Sequence, residues 1–331
     1  MNRHRINVLI VGYDSERWLP ACLSTLKAAS SSRIQLCFVD NHNNPGLQTF
    51  DFSAFDLEVL QTPYPMGFAD ANNFGIQRTE FESEFTVFLN QDTVSTPLWI
   101  DDCVACFRND PKLGILSPGL RTYDLSDWEP NLAACVCESG LTDRILEAEA
   151  DKHVELQQVT AAAMMIRTDV LDQVGPFDPI FGSYYEDYDL CRRVRNAGYK
   201  VAVCAAARVG HFSGSVTSTR DAERRRTRRL IRNRLIHKVR ENAGGRLSVL
   251  AKHFGFILPR NLIRGLLKTE SSQPVSATIG AHWDLLWIIR RLLSASNDNG
   301  EFERYCAQFY SDREELHNTP HSFRNSNANC G

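Results

Sequence analysis

Four short apolar runs, set apart by stretches of helical periodicity, constrain the fold of this chain more than any other feature. Residues 6–11 (INVLIV), 36–39 (LCFV), 57–60 (LEVL) and 86–89 (TVFL) have strand length, and the nearly continuous ones suit strands covered on both faces. Between them, Leu19, Cys22, Leu23 and Leu26 recur at helical spacing within residues 18–29, and residues 69–78 make a second helical stretch. This alternation predicts an α/β fold built on a doubly wound, mostly parallel, Rossmann-like sheet. Such sheets bind ligands beyond the carboxyl ends of their strands. Asp40 and Asp92 both stand there, just past a strand's last apolar residues.

The densest chemistry lies at Glu186-Asp187-Tyr188-Asp189, three carboxylates in four residues. Leu190, Val194 and Ala197 follow at helical spacing, and Gly198 stands where a C-terminal cap tolerates positive φ. The run therefore opens a short helix. Acids in a first turn complement the helix dipole without any other role. Three of them beside Gly175-Pro176-Phe177-Asp178 and upstream of His211 also suit a site that needs a base and a cation.

Asn90-Gln91-Asp92 offers an amide oxygen and a carboxylate, a set suited to Mg2+ or Mn2+, which prefer oxygen ligands. His211 either completes that shell or is a buried, hydrogen-bonded histidine. Asp40 can accept a hydrogen bond from the ring N–H of a base. No GxxxxGK[ST] is present, and no GxGxxG follows the first strand, which excludes a P-loop and counts against a dinucleotide dehydrogenase.

Charge excludes more than it suggests: 37 Lys and Arg against 40 Asp and Glu leave a net charge of -3, no overall field for nucleic acid. Ten cysteines include one CxxC, Cys103 and Cys106, without a second pair at zinc spacing, so reduced thiols are expected. No apolar stretch approaches the roughly 18 residues of a membrane span, and the N-terminal run lacks a signal-peptide pattern. A cytoplasmic chain is the expectation. Residues 113–158 read as loops and short strands.

From about residue 218 the character changes. Arg220, Arg224, Arg225, Arg226, Arg228 and Arg229 crowd into a helical stretch, and the apolar residues 254–267 carry Arg260 and Arg264. Basic amphipathic helices suit a membrane surface or an anionic ligand, and a merely solvated face accounts for the charges equally well. The domain reading is therefore a catalytic domain at 1–217, a basic helical extension at 218–296 and a polar, flexible tail at 297–331.

Taken together, the motifs resemble those of the family 2 glycosyltransferases of GT-A fold, in particular a bacterial rhamnosyltransferase-like branch. The resemblance runs from about Ile6 to Ser215. Val11-Gly12-Tyr13-Asp14 resembles the family's opening VTYN, and Val39-Asp40-Asn41 its VVDN. The stretch 67–76, GFADANNFGI, matches GFAxANNxGI, and Leu89-Asn90-Gln91-Asp92 resembles LNPD, with Gln91 in place of Pro. Residues 175–178 resemble GGFDE, residues 186–190 the EDxDL motif, Val209-Gly210-His211 the terminal VxH, and Arg232-Asn233-Arg234 the RNR that often follows.

This resemblance implies an inverting transferase that uses a nucleotide-diphosphate sugar, dTDP- or UDP-linked, with Mg2+ or Mn2+ on its diphosphate. It places the general base at Asp187, with Glu186 and Asp189 as orienting or acceptor-binding neighbours. It places the nucleotide-sugar site at Val11, Tyr13, Asp40, Asn41, Gly67, Asn73, Asn90 and Gln91, and the metal at Asp92 and His211. Rhamnose is a donor often used by the branch. The acceptor implied is lipid-linked or a polysaccharide, as in lipopolysaccharide and other cell-surface glycans, reached from the cytoplasmic membrane face through peripheral contact. Two other readings stand beside it: a non-catalytic nucleotide-sugar scaffold, and a sugar-nucleotide pyrophosphorylase.

Overall fold

The apolar runs pair their backbones into one mixed sheet. The computed structural model describes residues 5–42, 44, 46–138, 153–213, 219–242, 245–267, 275–293 and 295–318. Among them the strands are β1 (Ile6–Gly12), β2 (Gln35–Asp40), β3 (Asp56–Gln61), β4 (Phe85–Leu89), β5 (Thr93–Ser95), β6 (Leu113–Thr122), β7 (His153–Glu155), β8 (Ala163–Arg167) and β9 (Lys200–His211). The order is β3-β2-β1-β4-β8-β6-β9-β5, with β7 on β9. The block β3-β2-β1-β4 is wholly parallel. β8 then enters antiparallel to β4 and β6, while β6 and β9 run parallel.

Helices α1 (Leu19–Leu26), α2 (Phe68–Arg78), α3 (Trp99–Asn109), α4 (Pro130–Glu138) and α5 (Thr168–Val174) flank this sheet. α2 packs against β1 and β2 because it carries Gly75 at the contact. A Cβ there would stand 2.6 Å from Leu9 Cδ1 and 2.8 Å from Val39 Cγ2, closer than side chains pack.

Two segments differ from the sequence reading. Residues 113–122, expected as loop and short strand, form the ten-residue strand β6, its first eight residues buried. Pro118 and Gly119 hid it, and the register with β9 does shift between those two residues. The expected polar, flexible tail is helical over its first part, since α11 spans Ala295–Asn318, and residues 319–331 lie outside the described residues. Within this helix Phe309 is buried, Tyr310 donates its hydroxyl to Leu171 O at 3.3 Å, and Arg313 pairs with Asp172 at 3.2 Å.

The chain divides into two units by contact. The sheet unit holds Met1–Phe177, Leu190–Ser213 and Cys306–Gly331, and the second holds Asp178–Asp189 and Gly214–Tyr305. The division expected at residue 217 is therefore replaced by crossings after Phe177, within the acidic helix α6 (Glu186–Asn196), after Ser213 and inside α11.

The second unit is helical: α7 (Arg220–Glu241), α8 (Arg246–Lys252), a π-turn at His253–Ile257, α9 (Leu258–Leu266) and α10 (Val275–Leu293). Its core joins Phe181, Leu235, Ile236, Val239, Leu250 and Leu285. The arginines of α7 are not one solvated face. Arg228 pairs with Asp284 at 2.8 Å, Arg232 donates to Ile180 O, and Arg240 is buried. No helix among the described residues is long and apolar enough to cross a membrane.

Candidate active site

Strand register gathers one group of candidate residues within the sheet unit. Gly12 pairs with Asp40 across β1 and β2, so both strands end at one edge. Gly12 has no room for a side chain, since a Cβ would stand 2.2 Å from Phe38 Cζ. Val11 is half-buried just before it, and the chain leaves β1 through Tyr13 and Asp14, the latter at φ 48°. Tyr13 is 39% exposed, and its ring centroid lies 5.3 Å from that of His42, tilted by 33°.

Asp40 is buried and holds the loop beyond β2. Its carboxylate accepts from the backbone N–H of His42 and Asn44 and, at 2.6 Å, from Asn44 Nδ2. Asn44 in turn accepts from Ser15 N–H at 3.0 Å. Asn41 grips the segment before α2 in both directions: its Nδ2 donates to Met66 O at 3.0 Å, and its Oδ1 accepts from Met66 N–H at 2.8 Å. Gly67 then serves as the extended N-cap residue of α2.

Two expected donor-site residues turn inward. Asn73 donates to Phe177 O at 2.7 Å and accepts from Phe177 N–H at 3.0 Å. Gln91 accepts from Tyr13 N–H at 3.1 Å and Ser15 Oγ–H at 2.6 Å, and donates to Tyr13 O at 2.6 Å. These buried amides shape the loops by holding backbone groups, and their own polar atoms are committed.

The antiparallel pairing of β5 with β9 puts Thr93 opposite His211, so Asp92, one residue earlier, stands beside the imidazole. Asp92 Oδ1 is 3.5 Å from His211 Nε2, and Asn90 Nδ2 is 3.3 Å from the same nitrogen. On the other side, Glu129 Oε1 is 3.8 Å from Nδ1, an ion-pair distance and not a hydrogen bond. Glu129 is fully buried, and the motifs gave no sign of it. A bridge between Arg121 and Trp128 and the bond from Glu129 N–H to Leu120 O fold it back onto the end of β6. Its carboxylate accepts from Leu132 N–H at the start of α4 at 2.9 Å and from Ser213 Oγ–H at 2.6 Å. Buried Glu between a histidine and a helix N-terminus is a positioning arrangement. Its only sequence signal was an acid just ahead of Pro130.

Burial alone would raise the Glu129 pKa. His211, Ser213 and the Leu132 N–H outweigh it and hold the carboxyl at about 2. Burial would likewise lower His211, but Asp92 and then Glu129 raise it to about 9. The imidazole is thus a cation held between two carboxylates. Among the described residues no group of three or more His, Cys, Asp or Glu side chains could hold a metal ion, and Asp92 and His211 stand as a pair.

The acidic run lies in the second unit, where α6 begins at Glu186 as expected. Glu186 is 5% exposed, and its Oε2 has no hydrogen-bond partner among the described residues. Burial, reinforced by the charge of Asp187, raises its pKa far above the ordinary carboxylate range. Asp187 is half-buried and accepts from Tyr188 N–H at 2.8 Å. Asp189 is fully buried, and Arg240 Nη1 reaches its Oδ1 at 3.1 Å while Nη2 reaches Asp178 Oδ2 at 2.9 Å.

The backbone entering this helix is strained. Gly182, Tyr184 and Tyr185 all have positive φ, 65°, 73° and 73°, a rare conformation for tyrosine. Asn233 secures the turn: its Nδ2 donates to Phe181 O, Ser183 O and Tyr184 O at 2.9, 2.9 and 2.7 Å. Strain held in this way gathers at functional loops.

The model of the family described as "Glycosyltransferase like family 2" matches residues 4–232. The chain is 24% identical over 210 residues to the low-salt glycan biosynthesis hexosyltransferase Agl10 of Haloferax volcanii, covering 60% of this chain and 64% of that protein. It therefore spans less than two thirds of that relative's length. Among solved structures, it resembles residues 1–349 of S. aureus TarS in complex with UDP-GlcNAc, with a TM-score of 0.53, 14% identity, and coverage of 76% of this chain and 73% of that one. It also resembles GalNAc-T7 with UDP, GalNAc and Mn2+, with a TM-score of 0.51, 13% identity, and coverage of 71% and 48%. At these identities the structural likeness is one of fold.

Proposed function

Because the chain belongs to the family described as Glycosyltransferase like family 2, we propose that it moves a sugar, with inversion, from a nucleoside-diphosphate donor to an acceptor hydroxyl in glycan synthesis. The observation that carries this reading is Asp92 beside His211 at the carboxyl edge of the sheet, with Glu129 behind the imidazole. Loss of the Nε2 proton leaves a lone pair next to the Asp92 carboxylate. These two donors fit a divalent cation that takes its other ligands from diphosphate oxygens and water, as Mg2+ commonly does and Mn2+ can. Asp92 and His211 would hold such a cation, which would supply positive charge against the departing diphosphate.

The chain's own residues do the rest. Tyr13 and His42 offer ring faces to the base. Asp40, Asn41 and Gln91 keep the surrounding loops in place before the donor arrives, so little ordering entropy is lost on binding. Asp187 takes the proton of the acceptor hydroxyl as its oxygen attacks the anomeric carbon, and the bond to the diphosphate breaks on the opposite face. Neighbouring Glu186, kept neutral by burial, donates a hydrogen bond where Asp187 accepts one, and two carboxyls of unlike protonation divide acid and base roles. Asp189 holds the helix start through Arg240.

The finer reading is a UDP- or dTDP-sugar donor, rhamnose included, and a lipid-linked or polysaccharide acceptor of the cell surface, met at the cytoplasmic membrane face through peripheral contact. The UDP-bound relatives support the donor class. The test is a panel of nucleotide sugars assayed for release of nucleoside diphosphate, not pyrophosphate, with Asp92→Ala as the control. Turnover should need a divalent cation and fall sharply in the variant. Nucleotide binding without turnover on any donor and acceptor pair would leave only a scaffold role.

A further inference from the structure

In the second unit, helices α8 and α9 with the π-turn between them form one run over residues 245–267 that carries Arg246, Lys252, Arg260 and Arg264 and no acid. Its inner side meets the core through Leu250 and Phe254. Its outer side is apolar as well: Leu247, Phe256, Ile263, Leu266 and Leu267 are 71%, 63%, 57%, 72% and 70% exposed. α10 packs against α9 and exposes Ile279, Trp283, Leu286 and Trp287 at three- and four-residue spacing, Trp287 at 77%. Its one acid, Asp284, is paired with Arg228. Helices apolar on both sides are ordinarily covered on both.

Next to this surface lies a cavity of about 500 Å3 whose charged lining is Arg234, Lys238, Arg260 and Arg264, with Tyr185 and His253 beside them. No acid lines it. Burial is the main cause that holds the His253 pKa down to about 4, and the charges of His282, Lys238 and Arg234 lower it further. Arg260 lines the cavity and is itself exposed, three residues before Ile263 of the apolar stripe on the same helix.

We propose that this helical unit docks on an anionic membrane surface, with the apolar stripes of α8–α10 in the headgroup region and the basic cavity around a lipid-borne phosphate or diphosphate. Charge complementarity selects this occupant. A second copy would bring Arg246, Lys252, Arg260 and Arg264 against the same four cations, with the one acid of α10 already paired, and like charges at a desolvated contact oppose pairing. Interfacial helices combine such features: exposed Trp, Phe and Leu on one side with Lys and Arg flanking them. Basic pockets near a bilayer take phosphate headgroups. The lipid-borne diphosphate rests on the lipid-linked acceptor reading above, while docking itself needs neither donor nor turnover.

The test is sedimentation of the full chain with vesicles of phosphatidylcholine alone, with added phosphatidylglycerol, or with added polyprenyl diphosphate. Binding to both anionic compositions but not to the neutral one is expected. Trp283→Ala/Trp287→Ala and Arg260→Glu/Arg264→Glu should each weaken it by about tenfold or more, with unfolding temperature and nucleotide affinity retained. A chain that stays in the supernatant with every vesicle, or variants that bind as the parent does, would overturn the proposal. So would binding of free inorganic diphosphate without any vesicle binding, or a dimer that the tryptophan variant dissociates in the absence of lipid. Loss of transferase activity on all donors with vesicle binding intact would remove the enzymatic reading and leave the docking.

Discussion

Between Asp92 and Glu129, His211 is held as a cation, and the consequence for pH can be stated with its sign. The group's pKa rises from an ordinary 6.5 to about 9, so its stabilisation is fully present below pH 6.5 and is lost as pH climbs through 9. Glu129 behaves oppositely: its contribution is present above its ordinary 4.5 and vanishes as pH falls through about 2. Glu129→Gln removes one of the two facing charges. The alkaline loss of thermal stability should still begin near pH 6.5 but be complete roughly one pH unit lower, read from unfolding temperature against pH and from the imidazole titration by NMR. An unchanged His211 titration would deny Glu129 its positioning role. At the acidic helix, Asp187→Asn should cut kcat by roughly 10²–10⁴-fold while donor affinity measured by calorimetry stays near that of the parent. Retained turnover would move the base elsewhere. Asp92 and His211 were legible in the sequence because each ends a motif. Glu129 was not, because its role comes from a chain reversal that returns it to β6, and no spacing announces that. The amides of Asn73 and Gln91 were read as facing a ligand, and a motif cannot tell an amide that faces a ligand from one that holds the loop behind it.

Among the elements, the turn before α6 carries the most information. Two adjacent tyrosines with positive φ persist only when their surroundings fix them, and Asn233 on α7 supplies three hydrogen bonds to that end. Asn233→Ala should cost about 1–3 kcal/mol in chemical denaturation, because it strands buried carbonyls, and it should lower kcat more than donor affinity. Equal losses in both, or neither, would separate the turn from the chemistry. The parallel block β3-β2-β1-β4 was legible because its strands are short and apolar. β6 was not, because Pro118 and Gly119 break its pattern where the register shifts. α11 was missed because its composition is polar, and only Phe309 and Tyr310 with their neighbours tie it down.

At the scale of the whole molecule, helices α8 to α10 of the second unit owe their proposed role to composition: apolar residues inside and outside, no acid over residues 245–267, and on α10 one acid, Asp284, paired with Arg228. The sheet unit owes part of its stability to residues 306–318, which lie far along the chain. Deleting residues 306–331 should lower its unfolding temperature by several degrees, measured by calorimetry, since Leu171 and Asp172 lose their contacts to Tyr310 and Arg313. An unchanged transition would make α11 dispensable. The chain leaves the sheet unit after Phe177, re-enters it within α6, leaves again after Ser213 and returns inside α11. During synthesis, therefore, the sheet unit emerges in three instalments, and its last piece follows the complete helical unit. Neither unit can finish folding from the ribosome as an uninterrupted stretch, so the exposed stripes of α8–α10 leave the tunnel before the sheet is sealed. A nascent chain of this kind has reason to meet a chaperone, or the membrane itself, before it is complete.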